Sequence, residues 1–221
     1  AIGKDNRIGS KFLNPGPGFG GSCFKKDILN LVYLCNYFGL KEVGDFWESI
    51  IKINEWQQNR IYKIIVERLF GNLAGKKIAI FGFAFKAGTN DTRESPAIEI
   101  SKNLLSEGAF LAIHDPKVTE EQISRDLCAF EREKIFNDEC SNKYTESTWQ
   151  YFDDLYEAAL DADAIVILTE WPEFKKINWE RISLNINSPS WVFDARGILN
   201  VQFVQKYGIN IWQLGDGSFN Q

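Results

Sequence analysis

"KIAIFGFAF", residues 77–85, is the stretch on which the fold turns. The run is apolar almost throughout and shows no helical period. A strand buried on both faces reads this way, as strands do in a parallel sheet covered by helices. The chain after it supports that reading. Ser95-Pro96 offers an N-cap hydroxyl with proline in the first helical position, Ile98, Ile100, Leu104 and Leu105 follow, and Gly108 stops the helix. "AFLAIHDP" (109–116), "AIVILTEW" (164–171), "WVFDAR" (191–196) and "INIWQLG" (209–215) are further strand candidates, with helical patterns between most of them. Strands alternating with helices predict an α/β class, with a doubly wound, mainly parallel, Rossmann-like sheet over 75–221. The polar segment 117–148, which contains "NDECSNKYTEST", is expected to hold a short helix and a variable surface loop.

Residues 1–74 have a different texture. The first 22 are rich in Gly, Pro and Asn, and Pro15 and Pro17 make "NPGPGFGGS" (14–22) a loop. From Cys23 a helix is expected, with Ile28, Leu31, Val32 and Cys35 on one face and Gly39 as its cap. A second helix follows. Its stripe runs through Val43, Phe46, Trp47, Ile50 and Ile51, resumes at Ile61, Ile64, Ile65 and Leu69, and stops at Gly71. At 1.5 Å per residue the stretch from 43 to 70 is roughly 40 Å long. Asn54 and Gln58 interrupt the stripe where apolar residues would be expected. A connecting or dimer-forming helix explains both the length and the interruptions, and a bent core helix is the alternative. The expected organisation is therefore a helical region, 1–74, followed by the sheet domain, 75–221.

Composition narrows the classes of function. With 44% hydrophobic residues the chain can bury a substantial core, and no run of eighteen apolar residues occurs. A formal net charge of −5 gives no general attraction for nucleic acid or an anionic membrane, so an anionic ligand must be held by a local basic site. Four cysteines without Cys-x-x-Cys spacing, beside one histidine, argue against a disulfide framework and against a metal site. A reducing, cytoplasmic setting is the expectation. The chain contains no Met and starts without an initiator, so it reads as a piece of a longer polypeptide.

Three places could carry chemistry. In "GFGGSCFKKD" (18–27), Cys23 stands at the first turn of a helix, where free N–H groups and the helix dipole favour negative charge and Lys25 and Lys26 add positive potential. That suits a nucleophile, and Asp27, one turn on, could hold a water or relay a proton. The plainer reading is a small residue filling a tight helix start beside a solvated carboxylate. In "FGFAFKAGTNDTRESP" (81–96), Lys86 and Arg93 could meet phosphate oxygens, with Thr92 and Ser95 as hydroxyl donors. The segment lacks G-x-G-x-x-G, and the plainer reading pairs Arg93 with Asp91 or Glu94. Finally, Asp194-Ala195-Arg196-Gly197 ends a strand on the same sheet edge, where open α/β sheets bind ligands, so Arg196 could close the site. His114 reads as a packed or capping residue.

Taken together, "RIGSKFLNPGPGFGGSCFKKD", "GFAFKAGTNDTRESP", "HDPKV", "TEW" and "FDARG" resemble the C-terminal half of the UDP-glucose 6-dehydrogenases of the UDP-glucose/GDP-mannose dehydrogenase family, in this order and over nearly the whole chain. The resemblance implies that NAD takes two hydrides from C6 of UDP-glucose, giving UDP-glucuronate by way of a thioester on Cys23, with Asp27 near the hydrolytic water. By the same matching Phe12 and the loop Asn14, Pro15, Gly16, Pro17, Gly18, Phe19 and Gly20 line the sugar. Phe85 and Lys86 contact the UDP part, Arg196 completes the site, and Arg7 reaches the substrate of a neighbouring subunit. Cys23, Phe24, Lys25, Lys26 and Arg93 match contacts to NAD, which the family holds mainly with an N-terminal Rossmann domain that has no counterpart here. The long helix resembles the family's dimer-forming connector, so a homo-oligomer is expected. Asn14 stands where relatives carry lysine. Related enzymes act on GDP-mannose or UDP-acetylhexosamines, which leaves another nucleotide sugar as one alternative and a non-catalytic UDP-binding module as a second.

Overall fold

The computed structural model describes residues 2–9, 13–135 and 148–215, with side chains for all of these except 128–135. Six parallel strands form one sheet: β1 (Lys77–Phe81), β2 (Phe110–His114), β3 (Trp149–Tyr151), β4 (Ala164–Ile167), β5 (Trp191–Asp194) and β6 (Asn210–Gln213). Their order is β3-β2-β1-β4-β5-β6, which is the doubly wound α/β arrangement expected. β1 lies at the centre, with Ile80 facing Ile113 of β2 on one side and Val166 of β4 on the other. The chain therefore reverses its winding at β1, and a crevice opens beyond the carboxyl ends of β1 and β4.

The apolar run that opens the sheet is only partly strand. β1 ends at Phe81, because Gly82 takes a φ of +90° and the side chain of Thr169 occupies the space a Cβ would need there. Phe83 and Ala84 stay buried, but in a loop. Their apolar character reflects burial rather than sheet pairing. β3, three residues at the sheet edge, is a strand that periodicity does not announce, since "WQY" is too short to show alternation. The polar segment before it begins with α4 (Glu120–Ile135), which is 16 residues and longer than expected. Thr119 and Gln122 form a reciprocal capping box at its start, with Gln122 N–H donating to Thr119 Oγ1 at 3.4 Å and Thr119 N–H to Gln122 Oε1 at 3.1 Å. The loop expected over "NDECSNKYTEST" lies outside the described residues up to position 147.

The two N-terminal helices are α1 (Phe24–Tyr37) and α2 (Lys41–Arg68). Gly39 is left-handed beyond α1, and the bonds Gly39 N–H to Asn36 O (3.1 Å) and Leu40 N–H to Cys35 O (2.8 Å) close a Schellman turn. At the end of α2 the first left-handed residue is Phe70 (φ 68°), not Gly71, whose N–H closes the turn on Val66 O at 2.8 Å. α2 divides along its length. Ile61, Ile64, Ile65 and Leu69 belong to the same core as the sheet, whereas Val43, Phe46, Ile53 and Trp56 are exposed. The helices that cover the sheet are α3 (Pro96–Ser106), α4, α5 (Leu155–Ala159), α6 (Trp179–Ser183) and α7 (Val201–Gln205). Ser95 caps α3 with Pro96 in its first turn, as expected. His114 is buried, with Nδ1 3.0 Å from Phe152 O and its ring against Phe81 and Phe174, a packing role. Among the described residues no helix is long and apolar enough to cross a membrane, and no group of His, Cys, Asp or Glu is placed to hold a metal ion.

Candidate active site

The site is built on the carboxyl edge of the sheet. Loop residues after β1 need partners for backbone N–H groups that have left the ladder. A single buried carboxylate supplies the partner for the two that follow Gly82. Asp115, at the end of β2, accepts from Phe83 N–H (2.7 Å) and Ala84 N–H (3.0 Å) through Oδ2, from Lys117 and Val118 N–H (2.9 and 3.0 Å) through Oδ1, and from the Trp171 indole (3.2 Å). Ser95 Oγ donates to Phe83 O (2.8 Å) and Thr169 Oγ1 to Ala84 O (2.6 Å). "HDPKV", "TEW" and the loop after β1 are thus one hydrogen-bonded unit.

Arg196 leaves β5 on the same edge. Asp194, fully buried, accepts from Arg196 N–H (3.1 Å), Leu199 N–H (2.8 Å) and the Gln213 amide (2.9 Å), which fixes the turn that aims the arginine. The guanidinium donates to Leu168 O (2.7 Å) and Phe85 O (3.1 Å), and Nε lies 3.2 Å from Glu170 Oε2. Burial pushes the Arg196 pKa down, and the Glu170 carboxylate works against that shift. Glu170 Oε1 also accepts from Ala87 N–H (3.3 Å), so this carboxylate ties Arg196 to the loop that carries Lys86. The Lys86 side chain is exposed, its ammonium 5.3 Å from the centre of the Phe85 ring.

The glycine-rich loop packs across this edge. Arg196 Nη1 sits 3.1 Å from where a side chain on Gly16 would begin, and the Pro15 ring lies against Gly197 and Gly215. From the other side α2 reaches the loop backbone: Gln57 Nε2 donates to Gly16 O (3.2 Å), and the Asn54 amide accepts from Phe19 N–H (2.8 Å) and donates to Phe19 O (3.1 Å). Gly21 N–H donates to Arg93 O (2.8 Å), which joins the loop to the segment before α3.

Cys23 is the N-cap residue of α1, its thiol exposed and 3.6 Å from Ser22 Oγ, and its carbonyl accepts from Asp27 N–H at 2.8 Å. The Phe24 ring meets Phe19 edge to face at 4.6 Å. Lys25 pairs with Glu94 (2.9 Å), while Lys26 and Asp27 are exposed. Arg93 is held by Asp91 in a forked pair at 2.9 and 2.7 Å, which keeps its pKa above the ordinary arginine value, and proximity to Cys23 adds a smaller push in the same direction.

The structure therefore brings Pro15, Gly16, Phe85 and Arg196 to one place, with Lys86 at its border and Cys23 and Asp27 at the far end of the same loop. Arg7 is elsewhere, pairing with Asp5 on an exposed turn at 2.7 Å, an arrangement that lowers the Asp5 pKa and raises its own. Phe12 lies outside the described residues. The residues that place the site, Asn54, Gln57, Asp115, Thr169 and Glu170, escape a reading by motif chemistry. Asn54 had a signal, as a polar residue on an otherwise apolar stripe; Asp115 had one too, as a carboxylate at a strand end ahead of a proline.

A family model described as the UDP binding domain of the UDP-glucose/GDP-mannose dehydrogenase family matches residues 79–201, and one for the central domain of that family matches residues 1–56. UDP-glucose 6-dehydrogenase 4 of Arabidopsis thaliana is 47% identical over 221 residues, and UDP-glucose 6-dehydrogenase 1 of Glycine max is 45% identical over 217. Each alignment covers 97% of this chain and 45% of the relative, so the chain spans about half the length of the curated relatives it matches. Among solved structures, a UDP-glucose dehydrogenase from Pyrobaculum islandicum superposes with a TM-score of 0.68 at 26% identity, covering 96% of this chain and 41% of that one. A GDP-mannose dehydrogenase from Pseudomonas aeruginosa shares the fold, with a TM-score of 0.64 at 21% identity over 88% of this chain and 40% of that one.

Proposed function

The chain belongs to the UDP-glucose/GDP-mannose dehydrogenase family, and from that premise we propose that it is the substrate-binding, thiol-bearing part of an NAD-dependent dehydrogenase that oxidises UDP-glucose to UDP-glucuronate. The observation that carries this reading is the buried Arg196 guanidinium set against one end of the glycine-rich loop, whose other end leads to Cys23 at the start of α1. Glucose as the sugar is favoured over mannose or an acetylhexosamine by the names of the relatives at 42–47% identity.

In this reading Arg196 and Lys86 hold the anionic UDP group, and the backbone of residues 14–20 lies along the sugar. Two molecules of NAD, bound in succession, would each accept one of the two hydrides that leave C6. Between those losses the Cys23 thiolate adds to the C6 aldehyde carbon. After the second loss the sugar is held as a thioester, water attacks its carbonyl, Asp27 takes one proton from that water, and the C–S bond breaks to return the thiolate and release the carboxylic acid, which gives its remaining proton to solvent as the carboxylate. Exposed Lys26 and Arg93, beside Cys23 and Phe24, fit an edge-on contact with an anionic cofactor. The turn after β1 is not a dinucleotide turn, since Gly82-Phe83-Ala84-Phe85 is closed by Asp115. For this reason the 221 residues alone are expected to bind UDP-glucose without reducing NAD.

Self-association belongs to the same proposal. Tyr33, Tyr37, Phe38, Val43, Phe46 and Trp56 are each exposed on α1, α2 and the turn between them. Titration of the chain with UDP and UDP-glucose by calorimetry tests the core of the reading. Saturable binding of both is expected, and binding of neither would overturn it.

A further inference from the structure

The polar residues that interrupt α2 face the glycine-rich loop. Asn54 makes with Phe19 the two bonds that a neighbouring strand would make, one accepted from the N–H at 2.8 Å and one donated to the C=O at 3.1 Å. Its reach depends on the loop. Asn54 Oδ1 stands 2.6 Å from where a Cβ on Gly18 would be, and Gly18 has a φ of +124°, so any side chain there would block the amide as well as strain the backbone. One turn along, Gln57 holds Gly16 O, at the end of the loop next to Arg196. Phe19 in turn packs on Phe24, the residue after Cys23.

We propose that Asn54 is a positioning residue: its amide fixes the backbone of Phe19 against α2, so that the part of the loop between the sugar and the Cys23 thiol is held by the long helix as well as by the segment before α3, which it meets at Gly20 and Gly21. This rests on the functional reading above and deepens it. The two amides divide the labour. Gln57 steadies the end of the loop beside the Arg196 anion site, and Asn54 steadies the end beside the thiol. Phe19 and Asn54 also share the wall of a cavity of about 650 Å³ that runs on to Lys25, Gln58 and Ile98. Space on that side lets water replace a truncated amide, so losing Asn54 costs order in the loop and leaves the core intact.

The test compares Asn54→Ala with the unaltered chain by calorimetry, using UDP and UDP-glucose as separate probes, and by hydrogen exchange at the Phe19 amide. Affinity for UDP-glucose should fall about tenfold, that for UDP should change by less than about twofold, and the Phe19 amide should exchange faster while core amides of β1 and β4 do not. Asn54→Asp retains the acceptor for Phe19 N–H but not the donor to Phe19 O; it should fall between the two and covers the case in which the alanine variant does not fold. Equal weakening of both ligands, or of neither, would overturn the inference while leaving the functional reading in place. An unaltered chain that binds neither ligand would overturn both.

Discussion

Arg196, on the turn after β5, donates from its guanidinium to the carbonyl oxygen of Phe85, on the loop after β1, at 3.1 Å and across 111 residues of chain. The bond closes the carboxyl edge of the sheet into one site and sets the arginine in a largely buried position, where an unpaired charge would be costly. Arg196→Lys keeps the charge but cannot donate to Leu168, Phe85 and Glu170 together. It is expected to lower both the stability of the chain, in urea denaturation, and its affinity for UDP.

Lys86 separates those two effects. Its side chain is exposed, so Lys86→Ala should leave the urea midpoint almost unchanged. If it meets the UDP anion, calorimetry should show affinity reduced by roughly 1 to 3 kcal/mol, the cost of one lost charge-assisted contact.

Asp115 carries structure rather than ligand. Replacing it by alanine strands five donors that now converge on its two oxygens. A loss of about 3 to 5 kcal/mol in unfolding free energy is expected, with the loop after β1 released. Asp115→Asn should cost less, because one oxygen still accepts.

The thiols should differ in reactivity. Cys23 is exposed at the start of α1 and Cys35 is buried between α1 and α2, so iodoacetamide should label Cys23 first, read by peptide-resolved mass spectrometry. Equal rates would remove the physical ground for naming Cys23 the nucleophile. With UDP-glucose and NAD the chain alone should produce no NADH, read by absorbance.

Two tyrosines give the chain a dependence on alkaline pH. The hydrogen bond from Tyr62 Oη to Glu107 (2.6 Å) raises its pKa to about 12, and burial, followed by Asp153, does the same for Tyr151. Both stay protonated longer in the folded chain than in the unfolded one, where the value is 10.0. The stability they contribute is therefore fully present below pH 10 and is lost between about 10 and 12. Phenolate absorbance should show two late-titrating groups, and Tyr62→Phe should remove one of them.

Sedimentation at micromolar concentration should show dimers. Phe46→Glu or Trp56→Glu should shift them to monomers, since both side chains are exposed on α2.

How much of this is legible without coordinates depends on the range of the interaction. Five of the six strands, the alternation with helices, the cap at Ser95-Pro96 and the break between loop and helix at Cys23 are visible in the sequence, because burial period and capping act over a few residues; the short edge strand β3 is not. The strand end at Phe81 is not. Apolar character continues to Phe85, and only the turn at Gly82 and the acceptors of Asp115, more than thirty residues away, show that the continuation is a buried loop. The site follows the same division. Arginine, lysine and a thiol at strand and helix ends are readable as chemistry. The joining of the arginine to the loop that carries the lysine is a product of the sheet order, which sets β1 between β2 and β4 and β5 beside β4, and so brings Asp115, Glu170 and Arg196 to one loop. Asn54 marks the boundary between the two: its sequence says only that a polar residue interrupts an apolar face. What it faces was decided by the packing of α2 against a loop 35 residues earlier, because a hydrogen bond has no sequence signature until its partner is in place.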